Sequence, residues 1–389
     1  MRDAVIVEAV RTPIGRRNGG LAQVHPVDLS ATVLGALLDR AGIDAGTVDD
    51  VVWGCVGQVG EQAGNIARNA VLAAGWPESV PGTTIERQCG SSQQALHFAA
   101  AGVISGQYDI AVAGGVESMT RIPMGSARRV GLGDPNSDAI RRRYEGIEFN
   151  QGRGAEILAA RYELSRGWLD EYSLRSHQRA AHATDDGSFD GEIVPVTAPD
   201  GTKFTADEGI RRESTLDKLG QLKAPFAEDG RITAGNASQI SDGAAAVLVM
   251  SGDHARRLGL TPLARIHTAT VVGDDPVTML AGPIPATARV LDRAGLDLHD
   301  IGAFEVNEAF ASVVGAWLRA TGAPEDRVNV LGGAIALGHP LGGSGARLAT
   351  TLVHHMRANG IRYGLQTMCE GGGMANATIF ENLMVAGER

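Results

Sequence analysis

The chain contains a copy of part of itself, and this internal repeat constrains its fold more than any other feature. Residues 38–44 read LDRAGID and residues 291–297 read LDRAGLD, at an offset of 253 residues. The same offset aligns the strand-like segments VVWG (51–54) and FEVN (304–307), and it places Gly90-Ser91 on Gly343-Ser344. Three features in one register predict two related halves that fold in the same way.

Each half alternates strand-like and helix-like segments. In the first half AVIVEAV is followed by LSATVLGALLDRAG and then by VVWGCV, a pattern typical of α/β layers with helices on mainly parallel sheets. The stretch between the repeats is different, with two amphipathic helix candidates and a turn-rich tail. We interpret residues 1–118 with 241–264 as the N-terminal half, 265–389 as the C-terminal half and 119–240 as an inserted domain.

Composition and charge argue against several classes of protein. The net charge of −10 and the pI near 5.5 contrast with the basic surface of a nucleic-acid binder. The three cysteines do not make a disulfide framework, and no cysteine or histidine spacing fits a zinc site. The N-terminal segment shows neither a leader pattern nor a run long enough for a membrane helix. We expect a soluble cytoplasmic protein that has no metal and no nucleic-acid or membrane partner.

Cys89 is the first candidate for chemistry, in the segment IERQCGSSQQAL. The residues after it favour a helix that begins near 90–92, with Ser91 or Ser92 available as a cap. A thiol at a helix N-terminus is expected to have a lowered pKa, which favours the nucleophilic thiolate. The alternative role is that of a small buried apolar residue, which is common for a lone cysteine.

Two loops of the second half carry the other candidates. His339 lies between Gly338 and Pro340, in the loop that the repeat makes equivalent to the Cys89 loop. Cys369 ends a strand before Glu-Gly-Gly-Gly, where free amides can bind an oxyanion. Asn307 follows the FEVN strand and has an amide suited to holding a water or a carbonyl oxygen. The alternatives are a packed thiol for Cys369 and a turn-stabilising role for Asn307. Cys55 is interpreted as structural.

Across essentially the whole chain, an ordered set of motifs resembles the thiolase family. The motifs are VIVEAVRTPIG, RQCGSS, TAGNASQISDGAAA, NEAFAS, GGAIALGHPLGGSGAR and CEGGG. The segments RQCGSSQQA and LQTMCEGGG are similar to those of actinobacterial thiolases of lipid, sterol or ring-fragment breakdown. The resemblance implies a five-layer αβαβα fold, coenzyme A (CoA) and acyl-CoA as substrates, no cofactor, and a homodimer or homotetramer.

The resemblance also implies a role for each site residue. Cys89 carries the acyl group, His339 accepts its proton, and Cys369 protonates the departing acetyl-CoA carbanion or removes the α-proton in synthesis. Asn307 holds a water that forms one oxyanion hole with His339, and the amides of Cys89 and Gly371 form the other. The implied CoA contacts are Arg211, Phe226, Ala234, Ser238, Ala309 and Phe310, with Met279 beside the acyl group.

Several positions depart from the common pattern of the family. They are Glu86, Gln93, Asn150, Gln151 and Glu370, which predict a more polar or roomier acyl pocket. A ketoacyl-carrier-protein synthase is the nearest alternative enzyme, but those proteins pair one cysteine with two histidines. The sequence also leaves open a cysteine hydrolase and a lipid carrier without turnover. Acyl chain length, reaction direction and the choice between dimer and tetramer stay open.

Overall fold

The computed structural model describes residues 2–129, 131 and 133–385. Its strands are β1 (Val5–Arg11), β2 (Gly15–Arg16), β3 (Asp50–Gly54), β4 (Gly82–Ile85), β5 (Ile110–Ser118), β6 (Val196–Thr197), β7 (Lys203–Phe204), β8 (Ser241–Met250), β9 (Ala264–Gly273), β10 (Ile301–Val306), β11 (Tyr363–Glu370) and β12 (Met374–Glu381). Its α-helices are α1 (Pro26–Ala41), α2 (Ile66–Ala73), α3 (Ser91–Ser105), α4 (Ser126–Arg129), α5 (Asp138–Arg143), α6 (Gln151–Arg161), α7 (Arg166–Asp185), α8 (Leu216–Gly220), α9 (Gly252–Arg257), α10 (Pro283–Ala294), α11 (Ala311–Thr321) and α12 (Leu341–Ala358).

The strands of the two halves follow one another in the same order. The first half runs β4-β3-β5-β8-β1, and the second runs β10-β11-β12-β9 with a single bridge from Phe304 to Val328 at its outer edge. β1 and β9 pair through Val5–Arg265 and Ile6–Ala264, so the halves share one ten-stranded sheet. The sheets of the two halves are therefore joined edge to edge.

The prediction of mainly parallel sheets is wrong. β3 is parallel to β4 and β5, and β10 is parallel to β11, whereas the other long pairings are antiparallel. The reason is local: a tight glycine turn joins β11 directly to β12, and neighbouring strands joined by a tight turn run antiparallel. β8, which follows the insertion, occupies the equivalent antiparallel place in the first half.

The offset of the sequence repeat is preserved in the register of the strands. Val51 pairs with Val112 and Phe304 pairs with Leu365, which are the same two positions 253 residues later. The helices before these strands also end alike: Gly42 has φ 65° and ψ 34°, and Gly295 has φ 64° and ψ 34°. Glycine adopts this left-handed conformation without a steric penalty. The duplication is thus present in the folded backbone.

Both faces of the sheet are buried, which produces the five layers. Along β8, Ala245, Val247 and Val249 face the central core, and the alternate residues face the core of the first half. Helices α1 and α2 cover that outer core, α10 and α11 cover the outer core of the second half, and α3 and α12 lie between. Strands buried on both sides read as continuous apolar runs, as β8 does.

The inserted stretch contains both helices expected from its amphipathic pattern, α6 and α7, together with α4, α5, α8 and the β6–β7 hairpin. Leu158, Leu164 and Tyr172 of this stretch join the same core as α10 and α11. Val194, Val196 and Ala198 join the outer core of the first half, so the insertion packs against both halves. In the described ranges no helix has the length and apolar character to cross a membrane.

The two central helices meet at their N-termini through glycine. A Cβ on Gly342 would lie 2.4 Å from the carbonyl oxygen of Val116 and 2.7 Å from Cα of Cys55. A Cβ on Gly345 would lie 2.2 Å from the amide nitrogen of Gln93 in α3. The amide of Ala346 also donates to Ser92 Oγ at 2.9 Å. The repeat therefore brings the Cys89 and His339 loops to the same place.

We expect Gly342→Ala to destabilise the fold by about 1–3 kcal/mol, because its Cβ would overlap backbone atoms that cannot turn away. Gly35→Ala is the matched control, since no atom lies within 4 Å of a Cβ built at that position in α1. It should stabilise the protein by about 0.5–1 kcal/mol through helix propensity. Denaturant unfolding of both variants measures the difference, and equal midpoints would contradict the packing described for Gly342.

Candidate active site

Cys89 lies in a sharp turn between β4 and α3. Gln88, directly before it, has φ of 47°, a left-handed backbone that only a few per cent of non-glycine residues adopt. The predicted serine cap is wrong, because the N-cap residue of α3 is Gly90 and no side chain caps the helix. Ser91 Oγ instead accepts from the amide of Arg87 at 2.9 Å and donates to the carbonyl of Gln88 at 2.6 Å. Ser91 therefore closes the turn that presents the thiol.

The pKa of Cys89 moves opposite to the sequence prediction. Burial and the negative charge of Glu370 raise the pKa of Cys89 to about 12, and the charge of Glu117 adds to this. The backbone amides of Cys89 and Gly371 act on the sulfur in the other direction and lower its pKa. Desolvation outweighs the positive end of the helix, since a thiolate loses more by leaving water than partial charges return. The resting thiol is protonated and needs a base.

His339 is held in one protonation form by α12. Ser344 Oγ donates its single hydrogen to the carbonyl of Pro340 at 2.8 Å, so it can only accept from His339 Nδ1, which lies 2.6 Å away. The proton of the neutral ring therefore resides on Nδ1 and the lone pair on Nε2. Burial, followed by the charge of Arg347, lowers the pKa of His339 to about 3. Near neutral pH the ring is an uncharged base.

Asn307 lies directly beside that base. Its Nδ2 is 3.4 Å from His339 Nε2. Its backbone N–H donates to the carbonyl of Thr367 at 3.0 Å. Its Oδ1 is buried without a hydrogen-bond partner, and a buried polar atom of this kind is commonly satisfied by a water or a ligand. The side chain is thus suited to hold a polar atom next to the imidazole.

Cys369 occupies the end of β11, where the strand turns into β12. Burial raises the pKa of Cys369 well above its usual range, and the neighbouring Cys89 contributes in the same direction. The two thiols therefore share one site. Gly372 and Gly373, with φ of 83° and 75°, close the turn that brings the amide of Gly371 to the Cys89 sulfur. Within the described chain, the hydrogen bonds of His339 reach Ser241, Ser344 and Asn307 but not Cys89.

Glu117 connects the loops of the two halves and was not found from the sequence. Its carboxylate accepts from the amides of Val56 and Gly342 at 2.9 Å, from the amide of Gly57 at 3.0 Å, and from Gln62 Nε2 at 2.6 Å. Burial raises the pKa of Glu117, and these four donors oppose the rise. Four donors and no acceptor fit an ionised carboxylate. Nothing in the local pattern around Glu117 marks it as more than a strand residue.

Glu308 is a second buried carboxylate that sequence reasoning missed. It accepts from Tyr172 Oη at 2.8 Å and Ser176 Oγ at 2.7 Å, both in α7, and from the amide of Ile335 at 3.0 Å. Asn329 Nδ2 donates to it as well, at 3.2 Å. The carboxylate thereby ties the inserted domain to the loop that leads to His339. A glutamate directly after the candidate Asn307 was the available signal.

The predicted CoA contacts fall along one path. Arg211, Ala234 and Ser238 line a surface cleft of about 470 Å³ together with Arg16 and Arg17. The amide of Ser238 donates to the carbonyl of Ala309 at 2.9 Å, which places the cleft next to the loop after Asn307. Phe226 is 37% exposed and lies edge-to-face on Phe310, with ring centroids 6.4 Å apart. Ala309, Phe310 and Met279 are buried.

The residues that depart from the family pattern occupy different environments. Gln93 is fully buried and donates to Thr378 Oγ1 at 2.8 Å. Glu86 is exposed, and Asn150 caps α6 by accepting from the amides of Gly152 and Arg153. Gln151 Nε2 lies 3.9 Å from Met124 Sδ. Cys55 is buried in the outer core of the first half. His177 is buried, and its Nδ1 accepts from the amide of Arg211 at 3.1 Å.

Removal of the Ser344 hydroxyl should allow the proton of the neutral His339 ring to occupy either ring nitrogen. In Ser344→Ala the ring loses the only acceptor at Nδ1, so we expect a mixture of the two neutral forms in place of one. The nitrogen-15 chemical shifts of labelled His339 distinguish these forms. Thr350→Ala is the control, because Thr350 Oγ1 donates to the carbonyl of Ala346 in the same helix. Unchanged shifts in Ser344→Ala would contradict the assignment.

Comparison with known proteins agrees with this arrangement along the whole chain. The thiolase N-terminal domain matches residues 4–253 and the thiolase C-terminal domain matches residues 260–382. The steroid 3-ketoacyl-CoA thiolase FadA6 of Mycobacterium tuberculosis is 52% identical, with 98% of this chain and 95% of that protein covered. A 3-ketoacyl-CoA thiolase of Pectobacterium carotovorum is 46% identical, with 98% and 100% covered.

A solved structure shows the same fold. The acetyl-CoA acetyltransferase of Bacillus anthracis superposes with a TM-score of 0.91 at 39% sequence identity, over 98% of this chain and 99% of that one. The two family domains occur in order, and the relatives, at about half identity, cover 98% of the chain. The chain belongs to the thiolase family.

Proposed function

We propose that this protein cleaves 3-ketoacyl-CoA with CoA to give acetyl-CoA and a shortened acyl-CoA, through an acyl-Cys89 intermediate. The reverse Claisen condensation uses the same residues. The observation that carries the proposal is the pair of thiols at one site, the partly exposed Cys89 and the buried Cys369, together with the uncharged imidazole base His339. One thiol bonds to carbon while the other moves a proton, and both are suited to these tasks.

In the first step Cys89 attacks the 3-keto carbonyl carbon and His339 Nε2 takes the thiol proton. The tetrahedral oxyanion is held by the amides of Cys89 and Gly371. The bond between C2 and C3 then breaks, and its electron pair stays on C2 of the departing acetyl-CoA. The enolate oxygen is held by protonated His339 and a water on Asn307. Cys369 gives its proton to C2. Stabilisation of developing oxyanions by fixed donors commonly amounts to several kcal/mol.

The second step returns the enzyme to its starting state. The Cys369 thiolate takes the proton of an incoming CoA thiol, whose sulfur attacks the acyl-Cys89 thioester. The acyl group leaves as acyl-CoA, and Cys89 regains its proton from His339. Every proton removed in one step is returned in another, so neither an oxidant nor a metal takes part. We propose that the protein needs no cofactor besides its CoA substrates.

CoA is polyanionic and this protein carries a net charge of −10, so the ligand needs local positive charge. Arg16, Arg17 and Arg211 supply it in the cleft that also contains Ala234 and Ser238. We propose that the adenine–ribose phosphate end of CoA binds there, with the adenine against Phe226. The pantetheine then passes Ala234 and Ser238 to reach Ala309 and Phe310. Met279, near the site, contacts the acyl group.

The similarity to a steroid 3-ketoacyl-CoA thiolase at 52% identity favours a ring-bearing acyl group derived from lipid or sterol breakdown. We also propose a cytoplasmic homodimer or homotetramer. β4 supports this assembly, since it lies at the outer edge of the described sheet and an edge strand is open to pairing with a second copy. A ketoacyl-carrier-protein synthase is disfavoured because those proteins pair one cysteine with two histidines, whereas this chain combines Cys89 with His339 and Cys369.

The activity itself is tested with acetoacetyl-CoA and free CoA. Loss of the enolate absorbance and appearance of acetyl-CoA are the expected results. Longer straight-chain and ring-bearing 3-ketoacyl-CoA are compared in the same assay, and the ring-bearing substrate should have the highest kcat/KM. Absence of turnover with all three classes would refute the proposed enzyme. A preference for straight chains would refute only the substrate class.

Variants of the two thiols should give different results in experiments that trap the acyl-enzyme. Cys89→Ala is expected to abolish the acyl-enzyme, because the bond-forming sulfur is gone. Cys369→Ala should still give an acyl-enzyme from an acyl-CoA donor but fail in carbon–carbon bond formation, by about 10²-fold or more. Intact-protein mass spectrometry detects the adduct, and Cys55→Ala is the control that should behave like wild type. Equal trapping by wild type and Cys89→Ala would contradict the role of Cys89.

A further inference from the structure

Glu370, directly after Cys369, is a buried acid without a partner. The side chain is fully buried, and neither carboxyl oxygen has a hydrogen-bond partner in the structure. The nearby Asn376 donates from Nδ2 to the carbonyl of Gly90 at 3.2 Å. Partnerless burial of a carboxylate is expensive in free energy. Both Glu117 and Glu308, by contrast, have several donors each.

The carboxyl group of Glu370 lies against the turn that holds the nucleophile. A Cβ built on Gly90 would be 2.0 Å from Glu370 Oε1, so only the bare backbone of glycine leaves room for the acid there. The charge of Glu370 is the largest influence on Cys89 after burial. Glu370 therefore reaches the nucleophile through its packing against Gly90 and through its charge.

The other charged and titratable groups around Glu370 come from few elements. Arg87 and Glu86 face it from the segment before α3, and their charges act on it in opposite directions. Cys89 belongs to the same turn, His97 lies further along α3, and Cys369 precedes it on β11. The facing positions of β12 are Met374, Asn376 and Thr378, which do not titrate.

Burial raises the pKa of Glu370 to about 8, and Arg87 reduces the rise. Below that pH the group is a neutral acid, and above it the group is a carboxylate. A carboxylate and a thiolate packed together oppose each other, so the two ionisations compete and titrate as a coupled pair. The neutral acid leaves the site free to accept the negative charge on sulfur.

We propose that Glu370 is a positioning residue that sets the charge at Cys89: the neutral acid permits the thiolate, and the carboxylate suppresses it. This inference rests on the proposed role of Cys89 as nucleophile. It gives a physical meaning to the departure CEGGG, where the family often has an apolar residue after the cysteine. The pH range in which Cys89 can ionise then depends on the proton of Glu370. That proton takes no part in the carbon–carbon chemistry.

The test measures the rate of Cys89 alkylation by iodoacetamide between pH 6 and pH 10, read from the Cys89 peptide by mass spectrometry. Wild type is compared with Glu370→Gln and with Glu171→Gln, which removes an exposed carboxylate of α7 that is not among the charges acting on Glu370. Above pH 8, Glu370→Gln should react at least about threefold faster than wild type, since each unit of pKa changes the thiolate fraction tenfold. Glu171→Gln should follow wild type. Coinciding profiles for wild type and Glu370→Gln would overturn the proposal.

A second variant keeps the inference testable if Glu370→Gln does not fold. Arg87→Gln removes the positive charge that favours the carboxylate, so the alkaline suppression should begin at a higher pH than in wild type. An unchanged onset would count against the proposal. Combined with Glu370→Gln, where that variant folds, the Arg87 change should have no further effect on the profile. Alkylation needs no turnover, so an inactive protein with shifted profiles would refute the proposed function alone.

Discussion

The active site depends on the contact between the N-termini of α3 and α12. Both helices begin at the same point because Gly342 and Gly345 carry no side chain where backbone atoms of the other elements lie at 2.2–2.8 Å from a Cβ position. The Glu117 carboxylate completes the contact by accepting the amides of Val56 and Gly342 from the two halves. With the helix starts fixed, the loops before them can only converge, and they carry Cys89 and His339.

Convergence also determines the protonation of the site. The same close packing that brings the groups together removes water from them, which moves the pKa of Cys89 up to about 12 and that of His339 down to about 3. Both groups are therefore neutral at rest, and separation of charge waits for a substrate. Ser344, on the first turn of α12, orients the imidazole so that its basic nitrogen faces Asn307. The fold thus holds Cys89 as a neutral acid and His339 as a neutral base in the resting protein.

The sequence was informative where structure is local or repeated. The offset of 253 residues predicted the halves, and it survives in the pairing of Val51 with Val112 and of Phe304 with Leu365. The helix-like segment LSATVLGALLDRAG and the two amphipathic candidates of the insertion located α1, α6 and α7 for the same reason. The predictions that failed concern properties that depend on residues far away in the sequence. The pKa of Cys89 follows from burial and Glu370, and Glu117 and Glu308 acquire their roles only when amides from other segments surround them.

Two buried glutamates at the same site differ in their chemistry because the residues around them differ. Glu117 receives four hydrogen bonds from N–H groups, so its charge is satisfied and its carboxylate serves as a fixed link. Glu370 also acts on Cys89 but receives none, so burial acts on it unopposed except by Arg87. One residue type thereby supplies a carboxyl group that links the loops through four donors and a second that has no donor. The charge of the second is free to change with pH, because no set of donors holds it in a single state.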